Sequence, residues 1–429
     1  MINVDISNVW TCVSLPELLG GERQIFDAHN LLRNNQPNGP DFHGWLGLSN
    51  NIHGRQIHSI RKTAEKICSN SDILLVCGSG SAYWGAEAAI DLYCGRDRNL
   101  LGHKPLVLFT GDNLSSRQWL SMSKLLEGKD YSLHIISADG IATGTNVAAR
   151  GLRWMMERKY GTQAKSRISV ATVVGSPLHR MGQEEGYELF PLPKEMGGTA
   201  TVLTAAALLP MAVAGIDPLD VLEGAVEAYQ ELDVRAFENP AGLYAGARSI
   251  LSAKGRNQEL LCVSDPGLLT LAKWWQRHVW QVEGRQGQPI FSSAALIPGD
   301  LEVLDPMAVS GSGMFFETVI RMEDPVQKKV PVEMDWKDYD GLGFLSGRSL
   351  DQVEQQLMES LIEIHNFSGI PLLDLQIGEL TPHALGSLFC FFELSAALTA
   401  CTKGVTPFAP VTVQTQEAAL TALGYNSSL

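Results

Sequence analysis

The chain reads as an α/β protein, built on parallel sheets with helices on both faces and arranged as two successive lobes. Three observations predict this. Short, continuous apolar runs such as residues 72–77 (DILLVC) and 104–110 (KPLVLFT) alternate with segments of helical composition, which is the pattern of strands buried on both sides. The first run passes into a small-residue loop, GSGSAYWG, and then into AEAAIDLY, the strand, loop and helix of a parallel-sheet unit. A length of 429 residues exceeds what one ordinary hydrophobic core organises.

Taken in order, residues 1–50 show no clear period and read as an irregular N-terminal segment. Residues 56–69 carry apolar side chains at helical spacing. Strands are expected at 72–77, 104–110, 133–137 and 167–174, with helices at 119–126 and 147–160. Residues 201–215 form a nearly all-apolar helix, which must be buried on most sides. Asp217-Pro218 restarts a helix through residue 231 and marks the boundary between halves. The expected units are therefore 1–215, 216–403 and a C-terminal arm, 404–429. The second half repeats the theme, with strands at 259–263, 315–321 and 370–375 and helices at 268–279 and 350–365. Thr381-Pro382 caps and opens an apolar helix to residue 401, and a last helix spans about 413–423.

Composition excludes several classes. The net charge of −14 disfavours nucleic acid and anionic membranes as main partners. The N-terminus has no basic stretch followed by an apolar one, so no signal peptide is expected. The longest apolar stretch, 202–216, is too short to span a bilayer and contains Pro210. Seven cysteines without a CxxC pair read as reduced core residues of a cytoplasmic protein. GSGSAYWG is a poor dinucleotide fingerprint, because Tyr83 stands where the third glycine belongs and Gly85 comes two positions late. No cofactor is expected. No His-containing ligand spacing supports a metal.

Further segments, in order, are FTGDNLSS, EEGYELFPLPKEMGGTATVLTAAALLPMAVAGID, WWQRHVWQVEG, FFETVI and GVTPF. With these the chain resembles the phosphoglucose (glucose-6-phosphate) isomerase family in its short bacterial form, over about residues 45–425. The resemblance implies two sugar-isomerase three-layer sandwiches and a C-terminal helical arm that wraps the partner in a homodimer. It also implies proton transfer between two carbons of an opened sugar phosphate, using a carboxylate base, a nearby cation, ring-opening groups and a phosphate cradle.

Mapped residue by residue, the base falls on Glu283, in the Glu-Gly pair after the double tryptophan, beside Arg285. Other positions depart from the family. Its Gly-Gly-Arg is Gly197-Gly198-Thr199 here, its Asp-Leu-His is Asp300-Leu301-Glu302, and its arm lysine falls on Glu417. Where the family cradle reads Ser-Lys-Ser-Gly-Thr-Thr-Thr, this chain has Ser137-Ala138-Asp139-Gly140-Ile141-Ala142-Thr143. The serine closing the first loop, after Gly80 and Ser81, is Ala82. A carboxylate at Asp139 repels a phosphate and can cap the following helix itself. The expected catalytic set is therefore Glu283, Glu302 and Glu417. The expected substrate-binding set is Gly80, Ser81, Ala82, Ser137, Asp139, Thr143, Gly198, Thr199 and Arg285. Four carboxylates (Asp139, Glu283, Glu302 and Glu417) are expected to converge, with Trp84 and Trp280 nearby as candidate cation-binding faces. Three functions stay open: proton-transfer chemistry on a non-phosphorylated, cationic small molecule; a catalytically inert binding or regulatory protein; and residual sugar-phosphate isomerase activity.

Overall fold

The computed structural model describes residues 2–33, 54–138, 140, 142–193, 201–232, 236–284, 289–310, 313–323, 329–407 and 414–424. The chain opens with β1 (Ile2–Asp5), α1 (Leu15–Arg33) and α2 (Gly54–Asn70). Then come β2 (Ile73–Gly78), α3 (Ser81–Cys94), β3 (Leu106–Thr110), α4 (Ser116–Leu125), β4 (Tyr131–Ile136) and α5 (Thr143–Tyr160). The first half closes with β5 (Ile168–Val173), α6 (Pro177–Glu185), β6 (Glu188–Leu192) and α7 (Ala205–Ala214). The second half holds α8 (Pro218–Glu231), α9 (Pro240–Ala253), β7 (Gln258–Val263), α10 (Pro266–Glu283), β8 (Phe291–Leu296) and α11 (Leu301–Val309). It continues through β9 (Phe315–Met322), α12 (Leu350–Phe367), β10 (Leu372–Ile377), α13 (Pro382–Thr402) and α14 (Gln414–Ala422).

Two five-stranded sheets result, with strand orders β3-β2-β4-β5-β6 and β1-β10-β9-β7-β8. The first is parallel throughout, and the second is parallel except for β1. Residues of β2 and β4 are buried along their whole length, which is why they read as unbroken apolar runs. In both sheets the strand order reverses direction beside the first strand of the parallel set, β2 or β7, so each has a switch point where loops diverge.

The N-terminal segment corrects two expectations. Residues 2–33 are not irregular: they form β1 and α1. They also do not group with the first sheet, because β1 pairs antiparallel with β10, Ile2 opposite Ile377. Helix α1 packs on α9 and α13 of the second half. A buried Ile2 and Val4 alternating with outward side chains make a short edge strand, a weaker signal than a continuous run.

Among the described residues helix α13 is the longest apolar helix, not 202–216, and it is long and apolar enough to cross a membrane. Here it is a core element: most of it is buried, against α1, α8, α9 and α10. Its crossing with α8 needs two glycines. A Cβ on Gly224 would collide with the His383 carbonyl, and one on Gly386 with the Val221 carbonyl. Helices α3 and α10 pack together across the two halves, which brings the first switch point alongside the helix that ends in Glu283.

Candidate functional site

Glu283 is the last residue of α10, and its side chain is fully buried. One carboxylate oxygen accepts from the Arg248 guanidinium at 2.8 Å. The other accepts from the Ile290 N–H at 3.2 Å and lies 3.4 Å from the Lys403 ammonium. Arg248 comes from α9, where Tyr244, one turn earlier, lies under the guanidinium at 5.5 Å from its ring centre. The same guanidinium reaches Glu259 of β7 through Nε and Nη2, each at 3.2 Å. Glu259 also accepts from Tyr244 at 2.5 Å, Ser292 at 2.7 Å and Thr318 at 2.9 Å. Burial alone would raise the Glu259 carboxyl, but Arg248 and these hydroxyls outweigh it and hold the group below the usual carboxylate range. Burial would strip Arg248 of its proton more easily, yet Glu259 and Glu283 hold it firmly charged.

Lys403 is the C-cap of α13. Burial pushes its ammonium below the ordinary lysine value, against the pull of Glu283. Its side chain is 17% exposed, whereas those of Arg248, Glu259 and Glu283 are 0% exposed. It is therefore the part of this network nearest to solvent. Neither Arg248, Glu259 nor Lys403 stood among the expected site residues.

The cradle lies at the first switch point. Strand β2 ends at Gly78, opposite Ile136 at the end of β4. Gly80, with φ of 95°, takes the left-handed turn that starts α3 without a side-chain cap. Ser81 and Ser137 follow the two strand ends, 1% and 4% exposed, and neither hydroxyl has a hydrogen-bond partner among the described residues. Helix α5 likewise starts without a side-chain cap. Its first residue, Thr143, accepts a hydrogen bond from Gln416 of α14 at 2.7 Å, so the arm helix touches the start of α5 in its own chain. Ala82, beside Ser81, is buried at 2% exposure. Buried polar groups without partners are uncommon, and two at adjacent strand ends point to a ligand that supplies polar atoms.

Several expectations change here. Of the four carboxylates expected to converge, only the side chains of Glu283 and Glu302 are described. Glu302 is exposed on the first turn of α11, and no hydrogen bond or ion pair joins it to Glu283, whose carboxylate faces Arg248 and Lys403 instead. Asp139, Gly198, Thr199 and Arg285 lie outside the described residues, as does Ile141. Glu417 lies on α14, but its side chain lies outside them too. Trp84 and Trp280 make internal contacts: the Arg277 guanidinium sits 4.7 Å from the Trp84 ring centre, and Trp280 stacks on Phe291 at 5.1 Å. All seven cysteines are free. Among the described residues, no group of three or more His, Cys, Asp or Glu is arranged to hold a metal ion.

No protein-family model matches the chain. Individual proteins do. A glucose-6-phosphate isomerase of Clostridium tetani is 34% identical over 95% of this chain and 92% of its own length. One from Bacillus cytotoxicus is 35% identical over the same shares, 95% and 92%. The chain belongs to the glucose-6-phosphate isomerase family. A glucose-6-phosphate isomerase of Exiguobacterium sibiricum, 36% identical, covers 89% of the chain and 86% of its own length. Among solved structures, a hypothetical protein of Thermus thermophilus superposes with a TM-score of 0.84 at 20% identity, covering 99% of this chain and all of that one. A glucose-6-phosphate isomerase of Chlamydia trachomatis gives a TM-score of 0.69 at 14% identity, over 93% and 77%. These structural likenesses show the fold: two sugar-isomerase sandwiches.

Proposed function

We propose that the protein carries out the family's type of chemistry, moving a proton between adjacent carbons of an opened, polyhydroxylated small molecule. Glu283 is the base, and the substrate's distal group is a neutral polar group rather than a phosphate. The observation that carries this reading is the cradle. Two buried hydroxyls, Ser81 and Ser137, have no hydrogen-bond partner among the described residues, while its loops, 78–85 and 137–146, contain no lysine or arginine and one aspartate. Hydroxyls suit a neutral polar end. A dianion would have to bind without any cation in these loops and beside Asp139, and one like-charge contact near 4 Å costs ~4 kcal/mol at an effective dielectric of 20.

A cationic substrate finds no support, because the base carboxylate already has two cationic neighbours. The inert-protein alternative is disfavoured by the care with which Glu283 is held, ordered on both oxygens beside a partly exposed cation. By the same family reading the protein is a cytoplasmic homodimer.

The test is a substrate panel. Fructose 6-phosphate, in a coupled spectrophotometric assay, is expected to turn over far below the usual enzyme rate of ~10 s⁻¹. One or more unphosphorylated ketoses or aldoses, followed by NMR, are expected to exceed it. Fructose 6-phosphate turnover near that rate would overturn the assignment of the distal group.

A further inference from the structure

A cavity of about 210 Å³ lies between the second half of α3, the turn after it and β3, the edge strand of the first sheet. It is separate from the site around Glu283. Asp91, on its wall, accepts a hydrogen bond from Thr270 of α10 at 2.9 Å. Thr270 precedes Glu283 by 13 positions, and Asp91 follows Ser81 by ten. At a rise of about 1.5 Å per residue, both helices run ~15–20 Å from here to the candidate site. The volume is several times what one water needs.

Four charged side chains line the cavity without closing into pairs. Glu87 and Asp91, one turn apart on α3, bring carboxylates, and Arg96 and Arg98, on the turn, bring guanidinium groups. Among the described residues no ion pair joins any of the four. Arg98 is 6% exposed, yet its Nη1 reaches only neutral oxygens, Pro105 O at 3.1 Å and Asn99 Oδ1 at 3.4 Å. A guanidinium so buried normally has a charged partner. The half-buried Glu87 carboxylate accepts no hydrogen bond among the described residues. Burial, and then Asp91, push its carboxyl up against the pull of Arg277. Burial pushes Asp91 up as well, against Thr270 and Arg96. Each wall thus carries charge that the protein itself leaves poorly matched. The walls are also fixed in advance. The Asn99 side chain donates to Val107 O at 2.9 Å and accepts from the Val107 N–H at 3.1 Å, which ties the turn to the edge strand.

We infer that this cavity binds a small zwitterion, an α-amino acid with an apolar side chain. The ligand carboxylate pairs with Arg98, its ammonium with Glu87 and Asp91, and its side chain lies against Val107 and Phe109, which also line the cavity. A lone anion would meet two carboxylates here, and a lone cation two arginines. A ligand that carries both charges satisfies both walls, and charge-assisted hydrogen bonds in a partly desolvated pocket are the strong ones.

The experiment is calorimetry and saturation-transfer NMR on the full chain, with L-alanine, L-valine and L-leucine as probes. At least one is expected to bind saturably at millimolar concentration or below. The N-acetyl derivative of the tightest binder, an anion, and its methyl ester, a cation, should each bind roughly tenfold more weakly or worse. Glu87→Gln and Arg98→Met should each weaken binding of the amino acid by roughly tenfold or more, while Ser81→Ala, at the cradle, leaves it unchanged. Circular dichroism checks that each variant is folded. Glu87 is only half-buried, so Glu87→Gln carries the test if Arg98→Met does not fold. Three results would overturn the inference: no saturable binding of any of the three amino acids, equal binding of either derivative, or unchanged binding in folded Glu87→Gln. Equal weakening in Ser81→Ala would place the amino acid at the cradle and overturn it too.

Discussion

Replacing Arg248 by methionine removes the charge while keeping most of the side-chain volume. Two fully buried carboxylates, 2.8 and 3.2 Å from its nitrogens, then lose their shared counter-ion, and Lys403, 3.4 Å from Glu283, can match only one. Breaking a buried pair by removing one partner costs ~3–5 kcal/mol. For a unit of about 200 residues, at about 2–4 °C per kcal/mol, the apparent melting temperature should fall by roughly 6–20 °C. Thermal melts followed by circular dichroism at pH 7.5 measure this for the unsubstituted protein, Arg248→Met, and the double variant Arg248→Met/Glu259→Gln. The double variant should recover part of the loss, since one orphan charge is gone. The sign with pH is also set. Glu259 has a depressed folded pKa, so its stabilisation is present above the unfolded glutamate value and is lost as pH falls through the lower folded value. The gap between the unsubstituted protein and Arg248→Met should therefore shrink below about pH 4. A drop of under 3 °C at pH 7.5, or a gap that widens on acidification, would refute the reasoning.

Other outcomes follow from the same structure. His365 is buried, with Glu317 at 2.9 Å on one ring nitrogen and Asp305 at 3.0 Å on the other. Burial lowers its proton affinity, but the two carboxylates outweigh that and raise it. Its stabilisation is thus full below the unfolded histidine value and lost as pH rises through the folded one. His365→Asn should cost about 1–3 kcal/mol at pH 6 and clearly less at pH 9, and urea melts at both pH values would expose an equal cost. Thiol reagents should modify exposed Cys68 first, whereas Cys77 and Cys401, with thiols pushed up by burial to about 12, should react only as the protein unfolds. Native-state labelling of Cys77 as fast as Cys68 would contradict this. Sedimentation velocity at micromolar concentration should give a dimer mass, and a monomer would remove the homodimer from the account.

What could be read from the chain follows the physics of each element. Strands β2 and β4 are buried on both faces, so their composition alone marks them. Strand β8, FSSAAL, has small and polar residues because Ser292 serves Glu259, and nothing in its composition marks a strand. Strand β6, ELFPL, carries a proline that an edge position tolerates. Helix α9, PAGLYAGARSILSA, packs through alanine and glycine, which blurs its period. The site divides in the same way. Glu283 is legible because it follows a distinctive local string. Arg248 and Lys403 are not, because they meet it from 35 and 120 positions away. An arginine within a helix of small apolar residues was the available signal, since such a residue is rarely buried unless paired. The convergence of acids inferred from substitutions was a weaker reading for a related reason, and Glu302 shows it, standing exposed on α11. Sequence shows which residues have changed, but a carboxylate's neighbours come from elsewhere in the chain.

The most direct measurement is exchange of substrate hydrogen with solvent. Unphosphorylated ketoses and aldoses, and fructose 6-phosphate alongside them, are incubated in D2O with the protein and with Glu283→Gln, and deuterium at the carbon next to the carbonyl is followed by NMR. The account predicts incorporation into an unphosphorylated substrate that falls at least a hundredfold in Glu283→Gln, the order expected for a general base of ~10²–10⁴. Incorporation that is unchanged in Glu283→Gln, or that occurs in fructose 6-phosphate alone, would contradict it.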